Sequence, residues 1–197
     1  MESQVLYFKD LNPENTQEVF QLVKERAKRL KIKKLVLAST TGDTARKALK
    51  FFHGEGLKLI VIPHQHGFRE HNAFPPELVK TLREAGHEVH FSTMLFHTER
   101  LYRSEAPGLM ADLLRCFSQG VKVCFEIVMM AADGGLVDNG EQVIALAGTA
   151  KGSDTALVMR GASSNHLNQL RVNEILCKPL NPLNLDELKK TWENDSH

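Results

Sequence analysis

Hydroxyl side chains and a glycine are concentrated where a short apolar segment gives way to a predicted helix. The apolar run Leu35–Ala38 is followed directly by Ser-Thr-Thr-Gly-Asp-Thr-Ala, residues 39–45. The free amides and the dipole at a helix N-terminus favour an anion, and Gly42 lets a ligand approach the backbone. The predicted phosphate-binding residues are Ser39, Thr40, Thr41, Gly42 and Thr44. An ordinary turn in which Thr41 or Asp43 caps the helix is the alternative, and Asp43 would repel a phosphate unless it points away.

A second loop of similar composition follows another apolar run, Val143–Ala147. It reads Gly-Thr-Ala-Lys-Gly-Ser-Asp-Thr-Ala over residues 148–156, so both loops end in Asp-Thr-Ala. Ligands of parallel sheets bind beyond the carboxyl ends of the strands, which predicts that the two loops face each other across one crevice. The expected contributors are Gly148, Thr149, Asp154 and Thr155, with Lys151 as a cation. Alternatively, Gly148 and Gly152 only permit a tight turn.

Histidine and carboxylate side chains are the other candidates for chemistry. His64 and His66 are two apart after a predicted strand and could share a metal, but the sequence has no acidic or cysteine partner at a diagnostic spacing, so we predict no metal site. A ligand-contacting loop that includes His64 and Gly67, with Phe68 stacking on a ring, is a better interpretation, and a solvated polar loop is the alternative. Glu126 and Asp133 are seven apart on a predicted helix. We favour a structural or ligand-orienting role for them over acid–base catalysis.

Apolar periodicity predicts an alternation of strands and helices that would hold these loops. The predicted strands are 5–8, 35–38, 57–62, 88–91, 143–147, 156–159 and 172–177. The predicted helices begin at Asn12 or Asn15 and then cover 44–53, 75–85, 107–117, 121–132 and 185–192, the last one capped by Asn184. This order predicts an α/β fold with three layers, a mainly parallel sheet with helices on both faces.

Length and charge narrow the class of protein. A chain of 197 residues without an internal linker predicts one domain over residues 1–197. A net charge of +1 gives no electrostatic indication of binding to nucleic acid or to an anionic membrane, so we expect neither as a partner. No apolar stretch approaches the roughly 20 residues that span a bilayer. The three cysteines lack a CxxC spacing, so we expect buried, reduced thiols and a cytoplasmic location. An exposed sheet edge or helix could pair subunits as a homo-oligomer.

Several stretches resemble a known family. The run LVLASTTGDTARKALKFF is similar to the C-terminal α/β domain of pyruvate kinase, in which such a loop holds a phosphate of a sugar-bisphosphate activator. The chain resembles the stand-alone proteins of archaea and bacteria with this domain still more closely. The matching stretches are 14–16, 38–45, 126–136, 148–149 and 154–156. Asp43 stands where these loops commonly carry a basic residue, which weakens the case for a sugar bisphosphate.

The resemblance implies a ligand and excludes one activity. The stand-alone family is associated with flavin mononucleotide (FMN), so the resemblance implies a flavin phosphate in the loop Thr40–Thr44. Pyruvate kinase catalysis requires a barrel of roughly 250 residues, for which this sequence has no room, so we expect no pyruvate kinase activity. The leading hypothesis is a protein that binds a phosphorylated small molecule, FMN. A flavin-dependent oxidoreductase and a regulatory module that senses a sugar phosphate or a nucleotide are the alternatives.

Overall fold

The computed structural model describes residues 4–68 and 73–194. These residues contain the strands β1 (Leu6–Phe8), β2 (Lys34–Ala38), β3 (Lys58–Ile62), β4 (Glu88–Val89), β5 (Gln142–Ala147), β6 (Thr155–Arg160) and β7 (Arg171–Pro179). The α-helices are α1 (Asn15–Leu30), α2 (Asp43–Phe51), α3 (Pro76–Glu84), α4 (Glu99–Tyr102), α5 (Ala106–Arg115), α6 (Gln119–Asp133) and α7 (Leu185–Asn194). Short 3-10 helices, which the sequence pattern did not indicate, cover Leu95–His97 and Ser164–Gln169. Every predicted strand and helix is present, with ends that differ by a residue or two.

The seven strands form one sheet in the order β1-β7-β6-β5-β2-β3-β4. The strands β5, β2, β3 and β4 pair in parallel, and β1 is parallel to β7. From β2 the chain moves outward through β3 to β4 and then returns to place β5 on the other side of β2. The sheet therefore has a topological switch point between β2 and β5, and the two predicted loops follow these two strands.

One strand runs against the others. β6 is antiparallel to both β5 and β7. Only residues 148–154 separate β5 from β6, and a parallel connection needs a crossover of a dozen or more residues, so the two strands form a hairpin. The second loop is therefore the hairpin turn, and it lies at the carboxyl end of β5.

Helices cover both faces of the sheet because the central strands are apolar on both sides. In β2, Leu35 and Leu37 pack with α1, α2 and α3, whereas Val36 packs with α5 and α6. Successive side chains of a strand point to opposite faces, so a continuous apolar run supplies two cores. The expected three-layer α/β fold is confirmed.

The helix ends agree with the sequence at α7 and differ at α1. The Asn184 side chain accepts hydrogen bonds from the amides of Asp186 and Glu187, both at 3.0 Å, and the Glu187 carboxylate accepts one from Asn184 N at 2.8 Å. This reciprocal arrangement is a capping box. In α1 the N-cap position is Glu14 with no side-chain cap, and Asn12 Oδ1 instead accepts from Glu14 N at 2.9 Å. Of the two expected starts, Asn12 caps the turn that leads into α1, whereas Asn15 is the first residue of the helix and its side chain donates to Asp10 O at 2.9 Å.

None of the described helices has both the length and the apolar character that crossing a bilayer requires. The cysteines differ from the expectation at one position, since Cys124 and Cys177 are buried but Cys116 is exposed. The prediction of a buried Cys116 rests on its apolar neighbours, but two of these, Leu113 and Phe117, are themselves 67% and 50% exposed.

The three thiols should react at very different rates with Ellman's reagent. Burial raises the pKa of Cys177 to about 12 and that of Cys124 well above its usual value, so neither thiol forms the reactive thiolate near neutral pH. We expect one fast equivalent of thiol in the folded protein and three after denaturation. The Cys116→Ser variant should lose the fast equivalent, and any fast thiol left in that variant would contradict the burial of Cys124 and Cys177.

Candidate functional site

A cavity of about 870 Å³ opens at the carboxyl edge of the sheet, at the switch point. Its walls come from the loops after β2, β3 and β5 and from α5, α6 and α7. This volume lies within the range of about 300–1,000 Å³ that is typical of small-molecule sites. The two loops predicted from the sequence contribute to the same cavity.

The loop after β2 places the N-terminus of α2 at the cavity. Ser39, Thr40, Thr41 and Thr44 all line it. The Ser39 hydroxyl accepts from Ala45 N at 3.2 Å, and the first helical bond runs from Arg46 N to Gly42 O at 2.9 Å. The amides before Ala45 precede the intrahelical hydrogen bonds, so they are the groups that a helix N-terminus can offer to an anion.

Gly42 is required for the turn, but it faces α3 rather than the cavity. Its φ of +85° is a conformation that side chains rarely adopt, and a Cβ atom there would lie 2.6 Å from Leu78 Cδ2 and 3.2 Å from Pro75 Cδ. Gly42 is not among the residues that line the cavity. A bulkier residue at this position would disturb the packing of α2 on α3, so it cannot probe ligand binding separately from folding.

Asp43 lies on the cavity wall, and its carboxylate pairs with Lys47 Nζ at 2.8 Å, one helical turn away. The ion pair offsets the negative charge that counted against phosphate binding.

The hairpin loop after β5 forms the facing wall. Gly148 and Thr149 line the cavity, as do Lys151 and Gly152. Thr149 is buried, and its carbonyl oxygen accepts a hydrogen bond from Trp192 Nε1 at 3.1 Å. Trp192 therefore ties α7 to this loop and adds an aromatic ring to the wall, a contribution that the sequence did not suggest.

Asp154 and Thr155 lie behind this wall rather than on it. The Asp154 carboxylate accepts from Thr149 N at 2.9 Å and from the Thr155 hydroxyl at 2.7 Å. Thr155 Oγ1 lies 3.4 Å from Ser118 Oγ, which caps α6 by accepting from Val121 N at 3.0 Å. Burial raises the pKa of Asp154 above its usual value. In this hairpin loop the Asp-Thr-Ala ending therefore has a structural role, because Asp154 and Thr155 hold the loop against the start of α6.

The loop after β3 contributes aromatic side chains. His64 Nε2 lies 3.3 Å from Thr40 Oγ1, and the His64 ring packs edge-on against Phe68 at 4.9 Å between centroids. Both residues line the cavity, but Gly67 and His66 do not. The His66 ring packs on Phe91 instead, at 4.6 Å. Among the described residues, no three His, Cys, Asp or Glu side chains lie close enough together to hold a metal ion.

A buried ion pair on α6 forms part of the wall, and the sequence pattern indicates its carboxylate, Glu126, but not its cation, Lys122. Lys122 is 1% exposed, and its Nζ donates to Glu126 Oε2 at 2.6 Å and lies 3.2 Å from His97 Nε2. Burial lowers the pKa of Lys122, although Glu126 opposes this effect. Burial and the nearby Lys122 charge also lower the pKa of His97, which favours its neutral form. All three side chains line the cavity.

The two carboxylates singled out on α6 both hold crossing segments of backbone. Glu126 Oε1 accepts from Phe96 N at 2.8 Å, and Asp133 Oδ1 accepts from Ser164 N at 2.8 Å. Each therefore anchors one of the two 3-10 helices. The structural role is present for both residues, and only Glu126 also reaches the cavity.

Comparison with solved structures returns pyruvate kinases of Cryptosporidium parvum. One structure has 16% sequence identity and a TM-score of 0.39. A second, solved in complex with ADP, has 16% identity and a TM-score of 0.38. Each alignment covers 71% of this chain and 21% of the other, so the chain spans about a fifth of the length of these enzymes. A third has 17% identity, a TM-score of 0.36 and coverages of 67% and 20%.

The match of the sequence to a protein family is stronger evidence than the likeness to these structures. The family model described as the alpha/beta domain of pyruvate kinase matches residues 17–159, a range that contains α2, α6, both loops and the strands β2 to β5. The match extends over well more than half of the chain. The chain therefore belongs to the pyruvate kinase alpha/beta domain family.

Proposed function

We propose that this chain binds a phosphate monoester, FMN, in the cavity at the carboxyl edge of the sheet. The observation that carries the proposal is that one cavity of about 870 Å³ is bounded by the N-terminus of α2 on one side and by the loop Gly148–Gly152 on the other. The helix N-terminus suits a phosphate, and the hydroxyls of Thr41 and Thr44 supply further donors.

The remaining wall fits a large planar ring. Phe68, Phe96 and Trp192 line the cavity together with His64 and His97. Sites for cofactors are mostly apolar and aromatic with a few polar groups that fix the orientation, which describes this cavity. When bound, FMN would supply redox chemistry, and the protein would hold and orient it. The proposal concerns ligand binding and does not include pyruvate kinase activity.

The absorbance spectrum of the purified protein and a titration with FMN test this proposal. We expect a flavin spectrum, or quenching of the fluorescence of added FMN, and tighter binding of FMN than of riboflavin, which lacks the phosphate. A protein that is colourless and takes up no added FMN would overturn the proposal.

A negative charge at the proposed phosphate site should separate FMN from riboflavin. Thr41 is exposed beside the N-terminus of α2, where a carboxylate is compatible with the helix dipole, so Thr41→Glu should fold normally. We expect this variant to weaken FMN binding by about 100-fold, or about 2.7 kcal/mol, and riboflavin binding far less. Thr81→Glu makes the same change on the exposed surface of α3, outside the cavity, and should leave both affinities unchanged.

A further inference from the structure

The cavity wall includes a buried lysine, Lys122, that the proposed phosphate site does not use. Thr40 in the loop after β2 contacts His64, His64 packs on Phe68, and Phe68 packs on His97 at 5.1 Å between centroids. His97 in turn lies 3.2 Å from Lys122 Nζ. Three rings thus separate the hydroxyl-rich loop from the buried lysine, and a ligand held at the loop would extend along these rings toward Lys122.

The charges around Lys122 indicate which chemical group this region accepts. Two cationic side chains, Lys122 and Arg115, line this part of the cavity. Three carboxylates line it too, namely Glu126, Glu99 and Asp112. The Arg115 guanidinium already donates to Asp112 at 2.6 Å and to Gln119 at 2.9 Å. The region has no excess of positive charge, and a second phosphate would meet repulsion there.

A neutral acceptor suits the same geometry. A lysine ammonium has three donors, and two of them are directed to Glu126 and His97. The ammonium has no third hydrogen-bond partner among the described residues, and Lys122 lines the cavity, where a ligand atom would accept from that donor. The Lys122 ammonium also lies over the Phe96 ring, at 5.2 Å from its centroid, so a flat apolar surface adjoins the donor. A carbonyl oxygen on a planar ring would meet both features.

We propose that Lys122, positioned by Glu126 and His97, forms a second subsite that donates a hydrogen bond to a carbonyl oxygen of a planar ring. The cavity would then recognise a phosphate monoester at one end and a ring carbonyl at the other, and it would discriminate against sugar bisphosphates. This inference rests on the proposed function, since it concerns the opposite end of the same ligand.

The test compares three probes on a variant that removes both charges of the pair. In Lys122→Met/Glu126→Gln the glutamine oxygen can still accept from Phe96 N, and no unpaired charge is buried. FMN, riboflavin and fructose 1,6-bisphosphate serve as probes, with circular dichroism and thermal melting as checks on folding. We expect FMN and riboflavin to bind at least tenfold more weakly, by the same factor, because Lys122 contacts the ring that they share. In the unchanged protein the bisphosphate should compete poorly with FMN.

Two further variants keep the result interpretable. Lys80→Met/Glu84→Gln makes the same change in an exposed i,i+4 pair of α3 and should alter neither affinity. His97→Leu changes an exposed side chain at the cavity and should also weaken the binding of FMN and of riboflavin by the same factor. If the double variant fails to fold, the His97→Leu result tests the inference.

Unchanged affinity for both flavins in the folded variants would overturn the inference, as would a loss confined to FMN, because Lys122 would then contact the phosphate. Bisphosphate binding as tight as that of FMN would overturn it too. If Thr41→Glu weakens FMN binding while the Lys122 variants do not, the proposed function stands and only this inference fails. If the unchanged protein binds no flavin, both fail.

Discussion

Replacement of Lys122 by methionine should destabilise the folded protein by about 3–5 kcal/mol. The Lys122–Glu126 pair is almost completely buried, with side-chain exposures of 1% and 3%. Removal of the cation leaves the buried Glu126 carboxylate with one backbone amide as its hydrogen-bond partner, and an uncompensated buried charge is costly. Urea unfolding, followed by circular dichroism, would measure the loss.

The double variant Lys122→Met/Glu126→Gln should recover most of this stability. A buried ion pair contributes little net stability compared with neutral side chains of similar size, so the double variant should unfold within about 1–2 kcal/mol of the unchanged protein. Lys80→Met, in the exposed pair with Glu84 at 3.8 Å, provides the matched control and should have no measurable effect. A single Lys122→Met variant as stable as the double variant would show that Glu126 carries no buried charge.

The sequence was most informative about features that depend on neighbouring residues. The apolar run 35–38 has no polar face, and a strand of this kind must be covered on both sides, which predicts the three layers. The same run predicts where a ligand would bind, because the hydroxyl-rich turn after it lies at the carboxyl end of a buried strand. Ligands of parallel sheets bind at that edge. Both conclusions require only local sequence.

Features that depend on contacts between distant segments could not be predicted. The sequence pattern predicts that Gly42 contacts the ligand because a glycine in such a turn often lets a ligand approach, but α3 occupies that side of the turn. The packing of α3 on α2 is a tertiary contact without a local signal. The Lys122–Glu126 spacing is a local signal, because a charged i,i+4 pair inside an apolar helix indicates a buried ion pair. Its third member, His97, comes from a 3-10 helix whose sequence has no distinctive period.

Asp154 belongs to a loop that lines the cavity, but its own side chain does not reach the cavity. The sequence pattern predicts a ligand contact for this residue. Its side chain, however, is drawn inward by the amide of Thr149 and the hydroxyl of Thr155. A sequence cannot separate these outcomes, because both use an aspartate in a turn that follows a strand.

Replacement of Asp154 by alanine should therefore destabilise the protein by about 2–4 kcal/mol, because it removes two buried hydrogen bonds and leaves the Thr149 amide without its acceptor. Asp133→Ala is the control, since that exposed carboxylate accepts a single backbone hydrogen bond, and its loss should be at most about 1 kcal/mol. Urea unfolding of both variants measures the difference. Equal losses would mean that the buried network contributes nothing beyond one hydrogen bond.

The pH dependence of the Asp154→Ala effect has a defined sign. Since burial raises the pKa of Asp154 in the folded state, the folded protein keeps a proton that the unfolded chain has already lost above its own pKa of about 3.8. The contribution of Asp154 to stability is therefore fully present below that unfolded pKa and decreases as pH rises through the folded one. The stability difference between the unchanged protein and Asp154→Ala should be larger near pH 4 than at pH 8. An opposite trend would show that the carboxylate is stabilised as an anion and that Thr149 and Thr155 outweigh its burial.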